Sequence, residues 1–145
     1  VEGFDGDRHR RGHLARATLE AVAMAVATLW EAVGSLEGDE QRPPAEVRLT
    51  GGITRSTLWR QMLADVLGVT LRPIDAADAS AMGAAVLAID AITGRPPSSL
   101  TMEPQGTVRP NGEHHEAYQT LGRRWSERCR ALGWWLESPS GRYSL

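Results

Sequence analysis

The sequence predicts an α/β fold, rich in helix, built around one short parallel strand–helix–strand unit. Three observations predict it. Apolar residues recur at spacings of three and four along four stretches, as they do on one face of a helix. Two brief strand-like runs, residues 46–50 and 69–71, flank the second of those stretches. The distance between them leaves room for one helix, which favours a right-handed parallel crossover.

Taken in order, residues 9–36 carry Leu14, Ala17, Ala21, Met24, Ala25, Thr28, Leu29 and Ala32 on one side of a long helix. Glycine, charged residues and the pair Pro43-Pro44 then mark a surface loop. Glu46-Val47-Arg48-Leu49-Thr50 alternates and reads as a strand ending at Gly51-Gly52. A second helix follows, with Thr54 or Ser56 as its N-cap, Trp59, Met62, Leu63 and Val66 on one face, and Gly68 as its stop. Val69-Thr70-Leu71 is the second strand. A third helix opens at Asp75 or Asp78 and carries Met82, Val86, Ile89 and Ile92, with Gly83-Ala84-Ala85 allowing another backbone to approach. Residues 95–112 show no period and four prolines, an uncommonly long loop for a compact domain. A last helix over 113–132 presents Tyr118, Leu121, Trp125, Cys129 and Leu132, and Trp134-Trp135 opens a tail over 133–145.

The 145 residues, 41% hydrophobic and 23% charged, make up one domain's worth of chain. Such a domain buries roughly two thirds of its unfolded surface and holds a core without disulfides. The single Cys129 excludes a disulfide framework and a multi-cysteine zinc site. A formal charge of -2 argues against a broad nucleic-acid-binding surface. All sixteen basic residues are arginine, so no step can use a lysine of this chain. Arg16, Glu20 and Glu31 interrupt the longest apolar region, and no leader pattern precedes it. The expectation is a soluble, cytoplasmic protein with neither nucleic acid nor membrane as partner. Opening at Val1 and running into Glu2-Gly3-Phe4-Asp5-Gly6-Asp7, the chain reads as a piece of something longer. Two parallel strands alone do not make a stable sheet, so further strands are expected from elsewhere, and residues 1–145 read as a single partial domain.

The segment from Leu49 to Gly68 carries the chemistry. Gly51 and Gly52 stand at the carboxyl end of a strand, where an open α/β sheet places ligands. Without Cβ atoms they permit positive φ and let a ligand lie on bare backbone, while the helix that follows offers free N–H groups. A plain strand-to-helix turn would look the same from the glycines alone.

The whole segment is more specific. Gly51, Gly52, Arg55, Ser56, Trp59, Gln61, Ala64, Asp65 and Gly68 fall in register with the adenosine-binding motif of the FGGY carbohydrate kinases, which the sequence resembles. Asp78-Ala79-Ser80-Ala81-Met82-Gly83-Ala84-Ala85 is similar to that family's E-A-S-A-L-G-A-A helix start. His13-Leu14-Ala15-Arg16-Ala17-Thr18-Leu19-Glu20 is similar to its H-L-x-R-A-x-L-E helix, and the resemblance runs from about His9 to Leu132. It implies the helix-rich C-terminal portion of a ribonuclease H-like, actin-like ATPase domain, from an enzyme that phosphorylates a sugar, sugar acid or polyol with MgATP. It implies Gly51 and Gly52 beneath the adenosine or its α-phosphate, Ser56 against the adenine or ribose, and no catalytic residue or Mg2+ site within this chain. Ile53 departs from the family's third glycine, and Asp78 stands where glutamate is commoner.

The remaining candidates have plainer readings. Trp59, Met62 and Gly83 suit packing, Arg16 and Glu20 a surface ion pair. His9 and His13 stand four apart with no third ligand, which suits a solvated helix start. His114 and His115 are adjacent and expected to point apart; Cys129 suits inert burial. Asp75 would serve a dinucleotide fold, whose further glycines are missing here. A dinucleotide-binding fragment of an oxidoreductase and a non-enzymatic interaction domain stay open as alternatives. Unpartnered apolar faces lead us to expect self-association.

Overall fold

The computed structural model describes residues 3–36, 44, 46–74, 79–95 and 103–133. The helix start at Asp75 or Asp78, most of the loop after Leu36 and the Trp134-Trp135 tail lie outside the described residues. In chain order the elements are α1 (Arg11–Leu36), β1 (Glu46–Leu49), a 3-10 turn (Gly52–Arg55), α2 (Thr57–Leu67), β2 (Thr70–Pro73), α3 (Ala79–Thr93) and α4 (Gly112–Ala131). They fall into two compact units, one of Val1–Pro43, Asp65–Gly68 and Pro110–Leu145, the other of Pro44–Ala64 and Val69–Arg109.

In the first unit, histidine side chains take up backbone donors at and just ahead of the start of α1. His13 Nδ1 accepts from the Arg10 N–H at 3.0 Å, and His9 Nδ1 from that of Asp5 at 3.0 Å. The buried part of α1 is its middle, at Ala23 and Met24, whereas Leu14 and Leu29, assigned to the same stripe from spacing, are 37% and 56% exposed. Helix α4 covers that middle: a Cβ added to Gly122 would lie 3.9 Å from Met24 Sδ, ordinary contact.

Helix α4 is capped by Asn111, whose side chain accepts from the His114 N–H. Glu113 in its first turn and Arg128 and Arg130 in its last complement the helix dipole. Its buried residues are Tyr118, Ser126 and Cys129. Leu121 and Leu132 were expected in that face and are exposed; the buried side is turned toward Ser126 instead, through 118, 126 and 129. The Tyr118 hydroxyl donates to Glu20 Oε1 at 3.1 Å, and Arg16 Nε donates to the same oxygen at 2.8 Å. The expected Arg16–Glu20 pair thus becomes a bridge from α1 to α4. Burial pushes the Tyr118 phenol up, against the pull of the Arg16 hydrogen bond.

The two adjacent histidines do not diverge in what they bind; both reach Asp65, at the end of α2. His114 Nδ1 lies 3.0 Å from Asp65 Oδ2 and His115 Nδ1 lies 2.8 Å from the Asp65 carbonyl oxygen. Asp65 Oδ1 also accepts from the Asn111 N–H at 2.8 Å. A helix places neighbours about 100° apart, and a side-chain oxygen and a main-chain oxygen of one residue span that divergence. A groove of about 510 Å³ in this unit is lined by Met24, Trp30, Glu31, Tyr118 and Trp125 among others. Desolvation there raises the Glu31 carboxyl above the usual range.

In the second unit, β1 and β2 pair in parallel with Glu46 opposite Thr70 and Leu49 opposite Pro73, the expected crossover. Pro73 closes β2 rather than standing outside it. Leu71 is fully buried, and Met62 and Leu63 of α2 are buried as the spacing predicts. Gly68 stops α2 at φ +66°. Residues 95–112, expected to be without order, do better than that where they are described. Val108 exchanges both backbone hydrogen bonds with Leu71 at 2.9 Å, and the Gln105 N–H donates to the Pro73 carbonyl at 2.7 Å. One antiparallel bridge therefore covers the second edge of β2, while β1 has a strand on one side only among the described residues.

Helix α3 has no buried residue among those described. Its expected stripe is open at Ile92, 84% exposed, and Leu87 is 71% exposed. A Cβ on Gly83 would meet nothing within 4 Å, so the close approach expected there is not made among the described residues. Nor, among the described residues, is any helix long and apolar enough to cross a membrane.

Candidate functional site

The predicted site residues lie together at the carboxyl end of β1. After Leu49 the chain enters Gly51 at φ 87° and ψ -165°, a region essentially closed to residues with a Cβ. The Gly51 carbonyl then accepts from both the Thr54 N–H at 3.1 Å and the Thr54 hydroxyl at 2.7 Å, which closes the 3-10 turn. Ser56, in extended backbone, ends the turn and caps α2. Its Oγ accepts from the Trp59 N–H at 3.3 Å and its carbonyl from the Arg60 N–H at 3.0 Å.

Of the two glycines, both of which permit positive φ, only Gly51 has it. Gly52 begins the turn with ordinary backbone, so a side chain there is excluded by nothing in the chain's own conformation. At both positions a Cβ would meet nothing within 4 Å, which leaves exposed, bare backbone at the strand end. Ser56 is half-buried. As the cap it uses an oxygen lone pair, and its hydroxyl proton stays available to an acceptor.

Around this turn, Gln61 donates to the Arg109 carbonyl at 2.8 Å and steadies α2 against the segment after Val108. Two donors of the first turns of α2, Trp59 Nε1 and Arg60 Nε, are buried without a partner. Asp65 stood in the motif with no role assigned; the structure makes it the anchor of Asn111, His114 and His115. The Asn111-Gly112-Glu113 sequence, a helix-start signature, was the one local signal for that contact. Among the described residues no three His, Cys, Asp or Glu side chains gather as a metal site would need.

The C-terminal-domain profile of the FGGY family of carbohydrate kinases matches residues 5–92. The chain belongs to this family. It is 44% identical over 77 residues to a glycerol kinase of Trichlorobacter lovleyi, a match covering 53% of this chain and 15% of that protein. To a glycerol kinase of Alkalilimnicola ehrlichii it is 36% identical over 129 residues, covering 86% of this chain and 24% of that one. The crystal structure of xylulose kinase from Rhodospirillum rubrum superposes with a TM-score of 0.67 at 30% identity over 90% of this chain and 26% of that one. The chain thus spans about a quarter or less of the relatives it matches. The observed helix-rich fold with a short parallel strand–helix–strand unit is the portion of an FGGY kinase that the motif implied. Family membership displaces the dinucleotide alternative, whose candidate Asp75 lies outside the described residues.

Proposed function

We propose that this chain is the adenosine-binding portion of the ATP lobe of a cytoplasmic carbohydrate kinase. Residues 1–145 are read as the C-terminal part of one ATP-binding domain, with 133–145 as its tail. Gly51 and Gly52 lie beneath the adenosine or its α-phosphate, and Ser56 turns its hydroxyl proton to the adenine or ribose. One observation carries this reading. Within the matched stretch, β1 ends in a glycine-only conformation that opens onto bare backbone and then onto the N-terminus of an eleven-residue helix. Ile53, half-buried, takes the place of a further glycine.

The relatives' names, glycerol kinase, xylulose kinase and gluconokinase, point to a hydroxyl of a polyol, a sugar or a sugar acid as acceptor of the γ-phosphoryl group of MgATP. In such a transfer positioning and charge stabilisation supply most of the rate. This chain's share is positioning the nucleotide. No Mg2+ ligand set and no hydroxyl-activating base is assigned to it, and the 145-residue chain alone is expected to phosphorylate nothing.

Titrating the isotope-labelled chain with ATP tests the site. Saturable amide shifts centred on residues 50–58, given by ATP and not by CTP, which lacks the adenine, support it. Shifts centred elsewhere, or equal responses to the two nucleotides, overturn it.

A further inference from the structure

A small cavity opens beside the Gly52–Arg55 turn, at the same end of the parallel strand pair, where Pro73 stands opposite Leu49. It holds about 230 Å³ and is lined by Thr54, Arg55, Arg60, Pro73 and Gln105. Pro73 is the last residue of β2, and its carbonyl takes the Gln105 N–H, so the cavity sits at the carboxyl end of that strand. Its two charged residues are both arginines. Neither forms an ion pair with a carboxylate among the described residues. One Arg60 nitrogen donates to Thr57 Oγ1 at 3.2 Å, while its Nε is buried and unpartnered. Arg55 is exposed. An unpaired guanidinium with a desolvated donor is costly unless something accepts from it.

From this cavity we infer an anion site: Arg55 and Arg60 together hold a phosphate-type dianion, inorganic phosphate or a small phosphomonoester. Two guanidinium forks match the oxygens of such a group, and the first turn of α2 adds its positive end. The volume decides the size of the guest. Sites for nucleotide-sized ligands run from about 300 Å³ upward, so this one suits a phosphate with a few waters. Thr54 and Arg55 belong to the turn that leads into Ser56, so an anion there clamps that turn. The inference shares Thr54 and Arg55 with the turn of the adenosine reading but rests on the arginines and on neither glycine, so either can fail without the other.

Inorganic phosphate is the probe, titrated into the labelled full chain at constant ionic strength with chloride as control. The expected result is saturable shifts at Thr54, Arg55, Arg60 and Gln105, with affinity roughly tenfold weaker in R60Q and likewise in the exposed-site variant R55Q. Non-saturable shifts, or shifts matched by chloride, overturn the site. So does unchanged affinity in R55Q with its fold intact by circular dichroism, which guards against R60Q failing to fold. Competition separates the sources. Displacement of phosphate by ATP but not adenosine makes the guest a phosphate of the nucleotide, and simultaneous binding makes it a free anion; both keep the two arginines as its ligands.

Discussion

Asp65 and His114, 49 positions apart in the chain, meet with Oδ2 and Nδ1 3.0 Å apart, and the carboxylate is 3% exposed. Because its other oxygen takes the Asn111 N–H, one buried side chain fixes both the cap and the first turn of α4. Replacing Asp65 with Ala is expected to cost about 1.5–3 kcal/mol, the range for hydrogen bonds to a charged group. Urea unfolding measures this; a change within about 0.5 kcal/mol, as at ordinary surface sites, would contradict it.

Gly68 and His115 make a coupled pair. At φ +66° an added methyl at Gly68 is strained, and it would also stand 2.8 Å from His115 Nε2. The G68A variant is expected to lose stability, part of it by pushing the imidazole off the Asp65 carbonyl. In an H115A background the same change should cost measurably less. Additive losses in the double-mutant cycle would show that the ring yields freely.

Much of this was legible where the signal was local. Trp59, Met62, Leu63 and Val66 repeat at helical spacing, and Gly68 ends the helix at the positive φ that glycine permits, so α2 could be placed from sequence. The Leu71–Val108 bridge could not, since one bonded residue leaves no period to read. The Asp65 cluster was equally hidden, because its partners are distant in sequence and only the fold brings them together. At the site the glycine pair was visible. Which of the two carries positive φ was not, because either placement makes a turn.

Tyr118 links stability to alkaline pH. Its phenol is raised by burial, so the unfolded chain loses that proton first. The contribution is therefore full below the unfolded value of about 10 and falls away as pH rises through the folded one. Y118F should unfold with a flatter pH dependence between about 9 and 11; identical slopes in the two proteins would contradict the raised phenol.

Helix α3 presents Leu87 and Ile92 largely to solvent, and β1 has an open edge among the described residues. Association of the chain with itself is the expected consequence. Light scattering should show mass rising with concentration, less so for the pair L87E and I92E. A constant monomer mass across the series would show that these faces do not drive association.

The two glycines of the turn are predicted to separate stability from ligand binding. G51V forces a branched side chain into φ 87° and should destabilise by about 1–3 kcal/mol. G52V meets neither strain nor neighbour, so its fold should survive, and whatever it loses is lost at the ligand.

The central claim is that the turn from Gly51 to Ser56 holds the adenosine side of ATP. The measurement that tests it most directly is steady-state kinetics of G52V in a full-length kinase carrying this chain, with ATP and the sugar or polyol varied in turn. The account predicts a KM for ATP raised at least about tenfold, with KM for the acceptor changed by less than about twofold. Equal changes in both constants, in an enzyme whose thermal unfolding matches the parent, would contradict it and leave the glycine pair as a turn alone.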